Sequence, residues 1–429
     1  MRYTSIDSSL FATNRERLYQ LMQPKSVALL NANDFMPTNA DGTMGFRQNS
    51  DLFYLSGIDQ EETVLVLFPT HPDPKMREVL FVRETNEHIA VWEGEKLTKE
   101  NARAISGIST IYWTHQFETI FRNIIFEAER VYLNSNEHTR NDSQVQTRDS
   151  RFIQDFRQKY PLHRLDRLAP LMHHLRAIKQ PQEVALLQQA CDITQAGFER
   201  LLRFVKPGVT EFELEAEMLH EYIRRRSRGF AYSPIIASGS NACVLHYIQN
   251  DQVCKKGDVL LLDCAAEYAN YNADLTRSIP VNGRFTKRQA EVYDAVLRVF
   301  KAAKAMLVVG NVWDEYHAEV NKIMESELKG LGLLTDSDIA NQNPEWPAFK
   351  KYFPHGTSHF LGLDVHDVGN KYRKFEAGMI FTCEPGIYIR EEGLGIRLEN
   401  NILITEEGNF DLMEQIPIER EHIEELMNA

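Results

Sequence analysis

The spacing of apolar and polar positions divides the chain into an early α/β part and a later part with a different rhythm. Short, β-branched apolar runs at 26–30, 63–68, 79–82 and 130–133 have the length of strands. Between them, 14–22 and 117–129 carry apolar residues at helical spacing. The stretch 136–150 (NEHTRNDSQVQTRDS) is polar and predicts a surface connection. Helical rhythm returns at Pro181, which suits the first turn of a helix, and Val184, Leu187, Cys191, Phe198 and Leu201 follow on one face. Thr210 and Glu213 predict a capping box opening a second helix. After about residue 230 strands are expected to dominate, at 258–262, 277–280, 379–383, 387–389 and 401–405. The pattern predicts an α/β domain over 1–174 and a second, α+β domain over 175–429. A chain of 429 residues supports two, because single cores rarely grow past about 250–300 residues.

One pattern repeats inside the second domain. Gly257 precedes an apolar strand ending in Asp263, and Asp274 follows; Gly378 precedes an apolar strand ending in Glu384, and Glu399 follows. Each block reads as two strands with an acid on each arm, so a pseudo-symmetric core with a site between its halves is expected. A carboxylate at the end of an apolar strand either reaches water and backbone donors or has a cation, since burying it uncompensated is costly. The histidines add a second donor type. His355, His359 and His366 fall close together among Gly, Ser and Thr, and His246 ends a run of small residues beginning at Ser238. Small residues let backbone pass close to a ligand.

Composition narrows the class. A net charge of −13 argues against nucleic-acid or anionic-membrane partners. The basic run Arg224–Arg228 follows a helix and reads as a solvated face or a subunit contact. No apolar run reaches the roughly 20 residues that span a bilayer, and the start MRYTSIDSSLF lacks the features of a signal peptide. Cys191, Cys243, Cys254, Cys264 and Cys383 show no C-x-x-C spacing, which predicts neither disulfides nor a zinc knuckle. A cytoplasmic protein is expected.

Several of these residues form linked motifs: Asp263 with Asp274, Leu275, Thr276 and Arg277; His359 with His366 and Asp367; Glu384, Pro385, Gly386 and Tyr388; Gly395, Ile396, Arg397 and Glu399. In this order the chain resembles the pita-bread metallopeptidases, and within them the Xaa-Pro aminopeptidases (aminopeptidase P). The resemblance extends to Phe46, Arg47, Gln48, Asn49, Ser50 and Asp51, followed by Tyr54, Leu55, Ser56 and Gly57, which look like the family's non-catalytic domain.

The resemblance implies a creatinase-like N-terminal domain for substrate access and oligomer contacts, and a pita-bread catalytic domain. It implies two cations per subunit, held by Asp263, Asp274, His359, Glu384 and Glu399, with Asp274 and Glu399 bridging. Four carboxylates and an imidazole without thiolate favour Mn²⁺ and leave Co²⁺, Zn²⁺ and Fe²⁺ possible. The implied reaction is hydrolysis of the N-terminal Xaa-Pro bond, in peptides with proline second. Glu384 would act as general base and proton carrier, His366 would steady the oxyanion, and His246 joins them as a catalytic candidate. His246, His355, His366, Tyr388 and Arg397 would form the substrate pocket. Trp92 and Asp41 are implied near the active site, Trp92 from a neighbouring subunit, and dimers or tetramers are the family's assemblies. Asp364, Asp367, Cys264 and Cys383 are expected to be structural.

Two departures stand out. Ala265 occupies a position where the family has glycine, and Asn400 and Asn401 replace an acidic pair; neither is expected to touch a ligand. Prolidase is the alternative within the same fold, and a non-catalytic peptide-binding relative is the alternative of a different class.

Overall fold

The computed structural model describes residues 2–429 as two compact units, Tyr3–Arg176 and Ala177–Ala429. The first contains α1 (Ser9–Tyr19), β1 (Ser26–Asn31), α2 (Ser50–Ser56), β2 (Val64–Leu67), β3 (Glu78–Val82), α3 (Glu87–Trp92), α4 (Lys99–Ser106), β4 (Thr110–Trp113), α5 (Phe117–Ile125), β5 (Arg130–Leu133), α6 (Arg148–Lys159) and β6 (Arg164–Arg167), and runs into α7 (Ala169–Ala177). Its six strands form one sheet in the order β4-β3-β2-β1-β5-β6. β1 and β2 lie in the middle and are buried throughout, which is why they read as continuous apolar runs rather than alternating ones. Val27, Leu29, Val66, Phe81 and Val131 pack on Phe121, Ile124 and Phe156 from the helices.

The motif around Gln48 acts locally in the first unit. The Asn49 side chain accepts the backbone N–H groups of Asp51 and Leu52, capping α2. Gln48 donates its amide to the carbonyls of Ile58 and Gln60, and Asp51 is paired with Arg176 at 2.8 Å. Gly57 ends α2 at φ 67°, and a Cβ there would meet the Phe11 ring at 2.2 Å, so glycine is required twice over.

The second unit opens with α8 (Pro181–Phe204) packed on α9 (Glu211–Arg224). Glu213 accepts the backbone N–H and the hydroxyl of Thr210 at the start of α9. There follow β7 (Ile235–Ser238), β8 (Val259–Asp263), β9 (Glu267–Tyr268), β10 (Tyr271–Asn272), β11 (Thr276–Pro280), α10 (Lys287–Met306), α11 (Trp313–Gly330), α12 (Asp336–Ala340), β12 (Ile380–Cys383), β13 (Gly386–Ile389), β14 (Leu394–Arg397), β15 (Asn400–Thr405), β16 (Gly408–Asp411) and α13 (Arg420–Met427). The expectation that strands dominate after residue 230 does not hold. α10 and α11 are two of the longest helices, and α10 buries Val292, Val296, Val299 and Ala303 on one face behind a Thr286–Gln289 capping box.

Two three-stranded sheets carry the repeated blocks, in the orders β11-β8-β7 and β12-β15-β16. Antiparallel register sets Asp263 opposite Thr276 and Cys383 opposite Asn400. In each block the two acids therefore sit at the same end of a strand pair. The hairpin β13-β14 is inserted between the arms of the second block.

Candidate metal centre

The ends of the two blocks are stitched together by backbone and side-chain bonds. The Glu399 N–H donates to the Thr276 carbonyl at 3.1 Å, and the Thr276 hydroxyl donates to Glu399 Oε2 at 2.7 Å. Arg277, fully buried, donates to the carbonyls of Glu399 (2.7 Å), Thr276, Ile416 and Pro417 and to the Asn400 side chain. Asn401 bonds both backbone groups of Asp274, accepting its N–H at 3.1 Å and donating to its carbonyl at 2.6 Å. The expectation that neither departure touches a ligand candidate is thus corrected for Asn401. An amide can both donate to and accept from the backbone of one residue, whereas a carboxylate there can only accept.

This stitching brings acids and an imidazole together. Asp274, His359 and Glu399 are all buried, and one ligand atom from each lies within 4.8 Å of the others. His359 Nε2 is 3.4 Å from Asp274 Oδ2 and 3.7 Å from Glu384 Oε1. Its Nδ1 lies 2.9 Å from the Phe360 carbonyl, an acceptor, so Nδ1 carries a proton and Nε2 is turned towards the acids. Asp263 stands at the rim of the group. Tyr232 donates to its Oδ1 and Arg397 to its Oδ2, each at 2.6 Å.

The electrostatics call for positive charge. Burial raises the pKa of Glu399 well above its ordinary value, and Asp274, Glu384 and Asp263 raise it further. Burial likewise raises Asp263, against the pull of Arg397, and pushes Glu384 up to about 7. Burial opposes charge on the His359 ring, but Asp274 and Glu384 outweigh it and raise that pKa. Glu399 Oε1 is buried and has no hydrogen-bond partner. A carboxylate oxygen left bare beside three other acids fits a hard, oxygen-preferring cation.

A polar chain leads outward from Asp263. The Arg397 guanidinium donates to Asp263, to Thr276 Oγ1 at 3.1 Å and to Tyr388 Oη at 2.7 Å. Tyr388 Oη is 2.7 Å from His355 Nε2. Burial, with Arg397 nearby, pushes the His355 pKa down to about 3, so the ring is neutral. His355 Nδ1 faces the Gly356 carbonyl at 2.8 Å; hence Nε2 accepts the Tyr388 proton. Tyr388 and Arg397 are buried, His355 is half-buried, and His246 and His366 are exposed. The His366 ring lies edge-on to that of His359, 4.3 Å between centroids. Trp92 and Asp41 are exposed on the first unit.

Sequence reasoning passed over Tyr232 and the anchoring role of Asn401, neither of which carries a local pattern that would mark it. Asp367 forms a fully buried ion pair with Lys179 at 3.1 Å. The Cys264 and Cys383 thiols are buried, with pKa values well above the ordinary range because of that burial. In the basic run after α9, Arg224 and Arg225 pair with Glu221, which also takes Arg200, and Arg228 pairs with Glu267.

A buried group of carboxylates and imidazole at the joined ends of two strand pairs, in this fold, defines a metal-dependent hydrolase. The chain belongs to metallopeptidase family M24, whose model matches residues 185–406, and its residues 11–132 match the aminopeptidase P N-terminal domain. It is 36% identical to the Xaa-Pro aminopeptidase of Haemophilus influenzae, with 97% of each chain covered. It is 35% identical to that of Escherichia coli, with 99% of each covered. The zinc-substituted structure of Escherichia coli aminopeptidase P in complex with product superimposes with a TM-score of 0.87 at 34% identity, covering 99% of both chains.

Proposed function

We propose that the protein is a dinuclear-metal aminopeptidase that removes the first residue of peptides with proline second. The observation that carries this reading is the bare, buried Glu399 oxygen beside Asp274 and His359, in a chain akin over nearly its whole length to Xaa-Pro aminopeptidases. Prolidase, the alternative, is not favoured by those relatives. Asp263, Asp274, His359, Glu384 and Glu399 are the proposed ligands, and Mn²⁺ is the proposed ion, on the oxygen-rich donor set. When bound, such cations polarise the scissile carbonyl and lower the pKa of water so that hydroxide is available near neutral pH.

The remaining work falls to this chain's side chains. Glu384 is the more accessible acid of the group, its side chain 20% exposed against 8% for Asp274, which suits it to take a proton and carry it to the leaving nitrogen. His366, against the His359 ring, donates towards the developing oxyanion. His246 and His355 bind the proline side. Tyr388 and Arg397 stand behind His355 and hold it neutral and oriented. Proline offers no N–H to grip, so shape and imidazole contacts must do the recognising.

The five cysteines are free and buried, which suits a reducing cytoplasm; no helix among the described residues is long and apolar enough to cross a membrane. Exposed Phe35, Met36, Met44, Val91 and Trp92 on the first unit support a homo-oligomer formed through that unit.

The test is metal-stripped protein re-supplied with Mn²⁺, Co²⁺ or Zn²⁺ and assayed on Arg-Pro-Pro, longer Xaa-Pro peptides and Gly-Pro. Release of the first residue from the longer peptides, best with Mn²⁺, is expected. Cleavage confined to Gly-Pro would establish a prolidase instead.

A further inference from the structure

Glu211, the first residue of α9, is completely buried, yet it takes no part in the metal cluster. Its side-chain bonds all come from one segment further along the chain. Oε1 accepts the Ser238 N–H at 2.8 Å, the Ser238 hydroxyl at 2.7 Å and the Asn241 amide at 3.5 Å. Oε2 accepts the Tyr247 hydroxyl at 2.7 Å and the Gln252 N–H at 3.0 Å. One turn on, Glu215 accepts the amide of Asn250 at 3.0 Å, and Asn250 sits in left-handed backbone at φ 48° while bonding Pro234 and Ile236. Two acids on one face of α9 thus hold the segment 238–252 at both ends and in the middle.

His246 lies in that segment, beside Tyr247, exposed and outside any helix or strand. The underside of the segment is packed. Ala242, Cys243 and Tyr247 share a core with Ile235, Leu261 and Tyr388, and a Cβ on Gly395 would fall 2.3 Å from the Ala242 carbonyl oxygen. The partner of His355, Tyr388, therefore rests on the same piece of chain that presents His246.

We propose that Glu211 is a positioning residue: by gripping Ser238, Tyr247 and Gln252 it fixes the turn that holds His246 on the proline side of the site. The inference rests on the substrate-binding reading of His246. A histidine on an exposed turn contributes to the transition state only as well as it is placed, and a displacement of about 1 Å costs on the order of 100-fold in rate. A fully buried carboxylate with only donors around it supplies that placement, because the Ser238 N–H and the Ser238 and Tyr247 hydroxyls that it satisfies are buried with it and have no water to turn to.

The test is a double-mutant cycle. Glu211→Gln keeps the volume but turns one acceptor oxygen into a donor that opposes the donors facing it. Tyr247→Phe removes only that hydroxyl, with its bond to Glu211 and a longer one of 3.5 Å to Asp251, and leaves the other bonds to Glu211, so it carries the cycle should Glu211→Gln fail to fold. Glu211→Gln is expected to lower kcat/KM for Arg-Pro-Pro on the order of 10–100-fold, and Tyr247→Phe less, both with bound metal unchanged. In a His246→Ala background neither should lower kcat/KM further. Losses that simply multiply in that background, or wild-type activity of both variants, overturn the inference while leaving His246 in place. Wild-type activity of His246→Ala removes the reading of His246, and the inference with it.

Discussion

At the scale of single residues, the proposed site separates side chains that hold metal from side chains that act on substrate, and substitutions should separate them too. His366→Ala is expected to lower kcat on the order of 100–1,000-fold with metal content unchanged. Glu384→Ala should remove activity to background, since it deletes a ligand and the proposed base together. Steady-state kinetics with metal quantitation on the same preparations checks both. A different residue, Asp149 of the first unit, governs a pH effect. Burial raises its pKa from 3.8 to about 7, against a bond from Asn31 and with Asp51 adding to the rise. Between those values the native state holds a proton that the unfolded state has lost. The stability this group contributes is complete below pH 3.8 and is lost as pH rises through about 7. Urea midpoints of wild type should fall from pH 5 to 8 more steeply than those of Asp149→Asn, which carries no titrating group there.

At the scale of elements, loops are held by buried polar pairs rather than by regular structure. The loop bearing His366 is anchored at Asp367, whose N–H donates to the Phe360 carbonyl at 2.9 Å and whose carboxylate pairs with Lys179, both side chains 1% exposed. Lys179→Met keeps the apolar stem and takes the cation away from the buried carboxylate, which retains the Val368 N–H at 2.9 Å, so a loss of about 3–5 kcal/mol is expected. Adding Asp367→Asn should recover part of it, because the uncompensated charge is then gone. Urea denaturation of the single and double variants measures this, and equal stability of the two would show that the pair is not what holds the loop. Elements also show where sequence patterns reach their limit. Strands β5 and β8 were legible because apolar runs bounded by polar residues are a local property. α10 carries signals of the same local kind, a capping box and a one-sided apolar face, within the stretch where strands are expected to dominate. α1 lies earlier than the 14–22 spacing suggests, because Leu10 and Phe11, both buried, extend its apolar face towards the N-terminus.

At the scale of the whole molecule, metal and fold are coupled. Four carboxylates, two buried and two half-buried, raise one another's energy when no cation is near, so the native state should bind divalent ions that the unfolded chain cannot. Free Mn²⁺ at about 1,000 times its Kd would add about 4 kcal/mol, and a chelator should lower the Tm and abolish activity together. An unchanged Tm on complete metal removal would argue against cations at this cluster. The sequence by itself singled out the residues proposed to carry the chemistry: acids closing apolar strands, histidines set among small residues, and the spacing that ties the chain to its family. It also determined most strands, since residue type and period act over a few neighbours. Only the tertiary structure decided how those residues are held. Asn401 spans the backbone of Asp274, Arg397 links Asp263 to Tyr388, and Glu211 grips the turn beneath His246. Each of these joins positions far apart in the chain, and no local period encodes which distant element comes to lie beside which.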